Sequence, residues 1–393
     1  MRASWPLAAF LLVACGCGGL RTAGKGSELA AVPTPELERR ASTAPQAAVF
    51  RELAHRMLQE ERLRECESYL QRALELEPRS SDAYNLRGML RATEGAAEAA
   101  ADDFRRAAEL APDKIGPHLN LGRLLISQRH YQSAAAEFEK ALALHPASAE
   151  AARLAGDARR EGGPSLLAKR HYRRALELRP DDTAAHAGLG EVLTNTGRFA
   201  EGREHLRQAR ALGDASARTQ GYLGLACALG IESPADAGEA LQHLEAARAG
   251  GDTGSHVVYG LGLAYLAAGK HGEAERVLRE GIRRFPDVSG LHYTLADLYA
   301  ATGRARESRS ARSRSAALTA VRQEEERLLG EIAGRPQDVE PYRRYGAWLL
   351  RRGERARAKP VLAQALRLAP DDPALQRDLR LASGEPDPSA NPR

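Results

Sequence analysis

Apolar residues recur at helical spacing along most of the chain, three or four positions apart, with polar residues between them. Leucine and tyrosine form most of these apolar stripes, which is the pattern of amphipathic helices. The stripes come in segments of about 14 residues that are arranged in pairs, so the pattern predicts a series of helical hairpins. A glycine often follows the first helix of a pair, where a left-handed residue is needed; these are Gly95, Gly163, Gly197, Gly269, Gly303 and Gly353.

The hairpins recur at a fixed interval that is marked by prolines. Pro78, Pro112, Pro146 and Pro180 are each 34 residues apart. With these prolines placed at position 32, the repeats begin at residues 47, 81, 115, 149, 183, 217, 255, 289 and 339. The sixth repeat carries four extra residues around 231–234, in its hairpin turn. A fixed period of this length is typical of repeat architectures.

Small residues occupy positions 8, 20 and 27 of the repeat, and the third repeat shows the pattern in full. It contains Gly122, Ala134, Phe138, Ala141 and Pro146. Here the chain resembles the tetratricopeptide repeat family, whose signature is W-x2-L-G-x2-Y, followed by A-x3-F, A and P. The resemblance covers about residues 47–371. It implies an all-α fold, a right-handed superhelical solenoid of about nine hairpins, in which small residues let helices approach closely.

The pattern becomes irregular after the eighth repeat. Polar Arg312 stands where a large apolar residue belongs, and five arginines lie between Arg304 and Arg314. Residues 304–338 are either one long helix or a degenerate half-repeat that ends at Pro336. The last repeat and a capping helix, which begins with Asp372, are predicted over 339–382, and a disordered tail over 383–393.

The N-terminus has the pattern of an export signal. Arg2 precedes a short apolar run that ends in Leu12, Val13, Ala14 and Cys15. This order resembles the bacterial lipobox, which implies a signal peptide over 1–14 and lipidation of Cys15. An ordinary secretory signal or an uncleaved anchor is the alternative. Residues 15–46 are rich in Gly, Ala, Ser, Thr and Pro, which predicts a flexible tether before a regular array over 47–303.

Composition and motifs exclude several functional classes. The net charge is +5 and the pI about 9.1, but the basic run at 304–314 is interleaved with serines rather than aromatics, which argues against nucleic-acid binding. The glycine pairs at 188–190 and 260–262 lie within helices, so they do not form a phosphate loop. The histidines are dispersed, and Cys66 and Cys227 occupy small repeat positions. We therefore expect no cofactor, no metal, no small-molecule substrate and no catalytic activity.

In tetratricopeptide arrays, positions 5, 9 and 12 of the first helix tend to face a concave groove. Laid onto this chain, the resemblance implies that an apolar and aromatic groove is flanked by basic residues. Its candidate residues are Leu225, Tyr259, Leu263, Leu266, Tyr293, Asp297, Arg123, Arg153, Arg160 and Arg343. Such a groove suits an amphipathic helix or an extended peptide with acidic residues, and its centre is expected at Tyr259, Leu263 and Tyr293. The alternative is that these side chains only pack against the neighbouring helix.

Two functions follow from these patterns. The first is a non-catalytic scaffold or assembly factor, lipid-anchored in the bacterial cell envelope, that binds partner proteins. The second is a soluble or secreted regulatory or substrate-binding module of an enzyme system, such as a glycosyltransferase or a protease. Membrane attachment through Cys15 distinguishes the two.

Overall fold

The computed structural model describes residues 26–162, 165–231 and 236–385. Throughout these ranges the regular elements are α-helices, without strands. The predicted signal peptide, Cys15, most of the insertion at 231–234 and most of the tail at 383–393 lie outside the described residues. The helices are α1 (Gly26–Ala30), α2 (Thr34–Thr43), α3 (Ala47–Gln59), α4 (Leu63–Leu76), α5 (Ser81–Thr93), α6 (Ala97–Leu110), α7 (Ile115–Ser127), α8 (Tyr131–Leu144), α9 (Ala149–Gly162), α10 (Ser165–Leu178), α11 (Thr183–Asn195), α12 (Phe199–Ala211), α13 (Ala217–Leu229), α14 (Asp236–Ala249), α15 (Ser255–Ala267), α16 (His271–Arg284), α17 (Ser289–Ala301), α18 (Ala305–Gly334), α19 (Val339–Arg351), α20 (Arg355–Leu368) and α21 (Pro373–Ser383).

The first helix of each predicted repeat begins at the residue where the repeat begins. Side chains close to these starts, and to the start of the capping helix α21, satisfy free backbone N–H groups, as helix N-termini require: Asp182 accepts from Ala185 N at 3.0 Å, and Asp372 accepts from Ala374 N at 2.9 Å. At the other end, the glycine at position 15 has a positive φ, for example 81° at Gly95 and 68° at Gly269. Local sequence therefore determines where most helices begin and end.

Within a hairpin, the residue at position 8 receives the large side chain at position 24. The rings of Phe104 and Phe138 are fully buried. They lie against Gly88 and Gly122 so closely that a Cβ added there would stand 2.6 and 2.5 Å from a ring carbon. Burial of one such side chain contributes on the order of 1.5–3 kcal/mol. The small residue at position 8 is thus what allows the two helices of a hairpin to close on their aromatic core.

The chain divides into two compact units, one of residues 1–162 with 170–185 and one of residues 163–169 with 186–393. In the first unit, apolar clusters run along α3–α9 around Phe104 and Phe138. In the second, one cluster extends from Leu206 to Tyr299 and another from Leu328 to Ala382.

The tether predicted over 15–46 differs from the structure wherever the structure describes it. Residues 26–43 contain α1 and α2, and Leu37 is fully buried against Val49 and Leu53 of α3. Arg56 of α3 donates to Leu29 O at 3.0 Å and to Ala30 O at 3.1 Å. The prediction was wrong because it weighed the glycine and proline content and overlooked apolar residues that cover the open side of the first hairpin.

Residues 305–334 form a single helix, α18, which decides between the two predictions for this segment. Its first half packs on α17 through small residues: Ser308 Oγ donates to Ala296 O at 2.8 Å, and Ser315 Oγ donates to Ser289 O at 2.9 Å. Its second half buries Leu328 against α19. No residue between Ser315 and Leu328 is buried, so the middle of α18 contributes no side chain to an apolar core.

Candidate binding groove

The candidate groove residues of α15 form a partly buried apolar surface in the second compact unit. Tyr259, Leu263 and Leu266 are partly exposed and pack against the main apolar cluster of that unit. Gly290 of α17 lies directly beneath the ring of Tyr259, since a Cβ added there would come within 2.7 Å of it. Burial raises the pKa of Tyr259, whose hydroxyl lies beside Thr294. The structure therefore brings these three residues to one surface with α17.

Tyr293 and Asp297 continue this surface on α17 and are contacted by α18. Tyr293 is 50% exposed. The guanidinium of Arg312 lies 5.6 Å from the centre of the Tyr293 ring, and its Nη2 donates to Asp297 Oδ1 at 2.7 Å. Arg312, which stood out as a polar residue at an apolar position, thus points away from the hairpin core and lines the candidate groove.

Leu225 does not belong to the accessible part of this groove. It is only 3% exposed, within the main apolar cluster. Its Cα lies 3.4 Å from where a Cβ on Gly260 of α15 would stand. Because position 9 faces the next hairpin at this point, Leu225 packs between α13 and α15, which corrects its assignment as a groove residue.

The arginines proposed for the first compact unit are engaged in ion pairs. Arg123 is 7% exposed and bonds with Asn120 and Glu150. Arg153 pairs with Asp157 at 2.8 Å. Arg160 pairs with Glu161 at 3.2 Å. These side chains are placed by acidic neighbours that the repeat pattern does not reveal, so the basic flank predicted from them is largely neutralised.

Arg343, the candidate in the last repeat, is partly exposed and pairs with Asp372 and with Glu340. A further group of residues, of which the sequence analysis named only Arg343, surrounds a pocket between α18 and α19. Its wall contains Trp348 and Ala347 together with charged side chains from both helices, namely Glu324, Arg327, Arg343, Arg344 and Arg351. The sequence signal for this pocket is the spacing of Arg344, Trp348 and Arg351, which are four and three residues apart and so share one face of α19.

The groups with catalytic potential are held in structural environments. Cys66 and Cys227 are buried, and burial raises the pKa of Cys66 to about 12 and that of Cys227 to about 11, so neither thiol ionises readily. Asp103 is 3% exposed and bonds with Arg87 and Arg91. Over the described residues no group of three metal-ligating side chains occurs.

Among the described helices, none combines the length and the apolar composition that crossing a membrane demands.

Comparison with known proteins gives the following relationships. Two models of the tetratricopeptide repeat match the chain, one over residues 51–115, 119–163 and 259–320 and the other over residues 167–221. No curated protein matches it.

Solved structures that are similar include three tetratricopeptide-type proteins of low identity. MamA of Desulfovibrio magneticus RS-1 is 22% identical; the match covers 43% of this chain and 97% of that chain, with a TM-score of 0.39. YrrB, described as a TPR protein with an unusual peptide-binding site, is 20% identical; the match covers 48% of this chain and 96% of that chain, with a TM-score of 0.41. The pilF protein of Pseudomonas aeruginosa is 15% identical; the match covers 64% of this chain and 97% of that chain, with a TM-score of 0.40.

The two repeat models together match more than half of the chain, and their matches fall on the helical hairpins described above. Proteins of this kind bind other proteins or peptides and are typically non-catalytic. The chain belongs to the tetratricopeptide repeat family and is a protein–protein interaction scaffold.

Proposed function

We propose that this scaffold is lipid-anchored through Cys15 in the bacterial cell envelope and that it binds partner polypeptides on the surface formed by α15 and α17. The observation that carries the binding site is the exposure of Tyr293 beside the partly exposed Tyr259 and Leu263. Exposed aromatic side chains next to apolar ones are enriched at the centres of protein interfaces.

The physical character of this surface favours a peptide or a helix over a small molecule. Leu263 and Leu266 supply apolar area, while the hydroxyl of Tyr293 and the carboxylate of Asp297 supply hydrogen-bonding groups at its edge. The surface lies along α15 and α17, and its side chains are partly exposed, with Tyr293 50% exposed. A helix or extended chain can follow such a surface with apolar residues at regular intervals.

Crosslinked pull-down from membranes tests the binding site. We expect Tyr293→Ala combined with Leu263→Ala to lose the partners that the unchanged chain captures, with helicity retained in circular dichroism. Leu144→Ala is the matched control, because Leu144 is 40% exposed on α8, in the other compact unit. An unchanged set of partners in the double variant would contradict the proposed site.

Membrane fractionation tests the anchor separately. With Cys15→Ala, we expect the chain to move from the membrane fraction to the soluble fraction, because lipid chains on that cysteine supply the attachment. Cys17→Ala is the control and should remain membrane-bound. A Cys15→Ala chain that stays in the membrane fraction would overturn the anchor, and an unchanged chain that is soluble would favour a regulatory module of an enzyme system.

A further inference from the structure

The eighth repeat departs from a rule that the other repeats share. Position 24, counted past the insertion in the sixth repeat, holds a large apolar side chain that is at most 1% exposed: Leu70, Phe104, Phe138 and Tyr172 in the first compact unit, and Leu206, Leu244, Leu278 and Leu362 in the second. In the eighth repeat this position is Arg312, whose side chain is 54% exposed. The hairpin of α17 and α18 therefore lacks a buried side chain that stabilises every other hairpin.

Packing does not require a large side chain at this position. Ala296 stands at position 8, where most repeats have glycine, and it is fully buried. Across from it, Ser308 Oγ donates to Ala296 O at 2.8 Å, and Ala311 is 9% exposed. Because these small residues close the interface between α17 and α18, Arg312 has no place in the hairpin core. Its direction is instead determined by its contacts with α17.

Those contacts are Tyr293 and Asp297, which we call the cation subsite. The guanidinium lies 5.6 Å from the centre of the Tyr293 ring and donates to Asp297 Oδ1 at 2.7 Å. An aromatic face next to a carboxylate attracts a cation through both the ring and a charge-assisted hydrogen bond. Tyr293 is 50% exposed, whereas Asn85 and Leu119, at the same repeat position, are 4% and 5% exposed. A cation from outside the chain can therefore reach the subsite.

The same chemistry occurs at the start of α18 without access for a ligand. The guanidinium of Arg304 lies 4.1 Å from the centre of the Tyr299 ring and donates to Glu275 at 2.9 Å. Tyr299, however, is 6% exposed, and Arg279 donates to its hydroxyl at 3.1 Å. Arg304 is therefore a structural contact that joins α18 to α16 and α17. The exposure of Tyr293 is what separates the cation subsite from such a contact.

We propose that the cation subsite binds an arginine or lysine of a partner polypeptide, which displaces Arg312 from it. The ion pair of Arg312 is exposed, and exposed pairs contribute little to stability, so its displacement costs little. This inference rests on the proposed function, because it takes the surface of α15 and α17 as the binding site and adds the chemistry of the ligand. With Leu263 and Leu266 on the same surface, the ligand carries a basic residue among apolar ones.

One further charge limits the ligand to a single basic residue. Exposed Arg322 of α18 is close enough to act electrostatically on the hydroxyl of Tyr259. It follows Arg312 by ten residues, which is about 15 Å along a helix. A second cation at Tyr259 would be repelled by Arg322, whereas one at Tyr293 meets the carboxylate of Asp297. One arginine or lysine therefore fits this surface better than a basic cluster does.

Three fluorescein-labelled peptides test the subsite with the full chain. Each has 12 residues and the same leucine and alanine positions, and they differ at one central residue, which is arginine, glutamine or glutamate. In fluorescence anisotropy we expect the arginine peptide to bind at least fivefold more tightly than the glutamine peptide and the glutamate peptide to bind most weakly. Tighter binding of the glutamate peptide would show that Arg312 recognises an acidic partner, and would overturn the inference.

Single substitutions separate the competitor from the subsite. Arg312→Ala removes the internal competitor, so the dissociation constant of the arginine peptide should fall about threefold or more. Asp297→Asn removes the carboxylate and should raise that constant about tenfold. Arg304→Ala is the matched control, because it removes the same charge from the same helix beside a buried tyrosine, and it should change neither value. Circular dichroism checks that each variant keeps its helicity.

Two results would contradict the displacement of Arg312. One is weaker binding of the arginine peptide to the Arg312→Ala chain, and the other is no binding of that peptide to either chain. The proposed function fails separately: if Leu263→Ala with Tyr293→Ala retains the captured partners, the binding surface itself is wrong. If that double variant loses its partners while the three peptides bind alike, the surface stands and the cation subsite does not.

Discussion

Gly122 and Phe138 lie in direct contact across the third hairpin, with the ring against the α-carbon. A Cβ at residue 122 would stand 2.5 Å from the ring, and Phe138 is fully buried, so the ring has no open space to enter. We expect Gly122→Ala to lower the free energy of unfolding by about 1–3 kcal/mol through overpacking, measured by urea denaturation.

Gly330 provides the control for that substitution. It lies within α18, is exposed, and has no heavy atom within 4 Å of the position of an added Cβ. Gly330→Ala should therefore raise the free energy of unfolding by roughly 0.5–1 kcal/mol, the helix preference of alanine over glycine. Equal effects of the two substitutions would contradict the role of position 8.

Arg129 occupies position 15 of the third repeat, where most other repeats have glycine, and its φ is 62°. A left-handed conformation costs a non-glycine residue about 1–2 kcal/mol. Arg129→Gly should raise the free energy of unfolding by about 1 kcal/mol. Gln128→Gly, at a neighbouring residue with φ of −86°, should lower it. Thermal unfolding of both variants measures this; a loss of stability in Arg129→Gly would refute it.

Asp102 and Asp103 are adjacent but have different environments. Asp103 is buried and accepts from Arg87 at 2.7 and 3.0 Å, whereas the Asp102 side chain is 75% exposed and pairs with Arg105. Asp103→Ala should lower the free energy of unfolding by about 2–3 kcal/mol. This is less than the loss expected when a fully buried ion pair is broken, because Arg87 is partly exposed. Asp102→Ala should cost about 0.5 kcal/mol or less. Chemical denaturation that finds the two variants equally stable would show that Asp103 is not a structural anchor.

His256 makes stability depend on pH. It stacks on Tyr222 at 4.1 Å, and Nε2 donates to Asp252 at 2.8 Å. Burial lowers the pKa of His256, although Asp252 acts in the opposite direction; burial also lowers the pKa values of His55 and His243. Protons therefore bind the unfolded chain more readily than the folded one.

The free energy of unfolding should consequently fall as the pH drops below about 6.5, the ordinary pKa of histidine, and should be steady above it. His256→Gln should reduce this slope between about pH 7 and 5.5, while His271→Gln, at an exposed position, should not. Urea titrations at several pH values measure the slope. An unchanged slope in His256→Gln would exclude its contribution.

Much of the fold follows from local patterns, and the departures have identifiable causes. The first residue of each repeat, the left-handed glycines and the small residues at position 8 could be predicted because each depends on residues within one hairpin. The pairing of Arg123 with Glu150 could not, because it joins residues of two hairpins. The burial of Leu225 depends in the same way on the approach of α15.

In the candidate groove, too, some features could be predicted from the repeat pattern and others could not. Tyr259, Leu263 and Tyr293 do lie on adjacent helices, as their repeat positions indicate. The exposure of Tyr293, however, follows from the continuity of α18, and the helical pattern of 304–338 was compatible with either one helix or two. Whether a neighbouring helix is present decides the exposure of this side chain, and no local pattern reports that.

The helices α1 and α2 change how far the array can stand from a bilayer. If Cys15 carries the lipid, only residues 16–25 separate the anchor from Gly26, where the described structure begins. Ten residues span at most about 35 Å even when fully extended, compared with about 110 Å for the 31 residues of a tether that ended at residue 46. With that anchor, the first helices of the array would be held within about 35 Å of the bilayer surface.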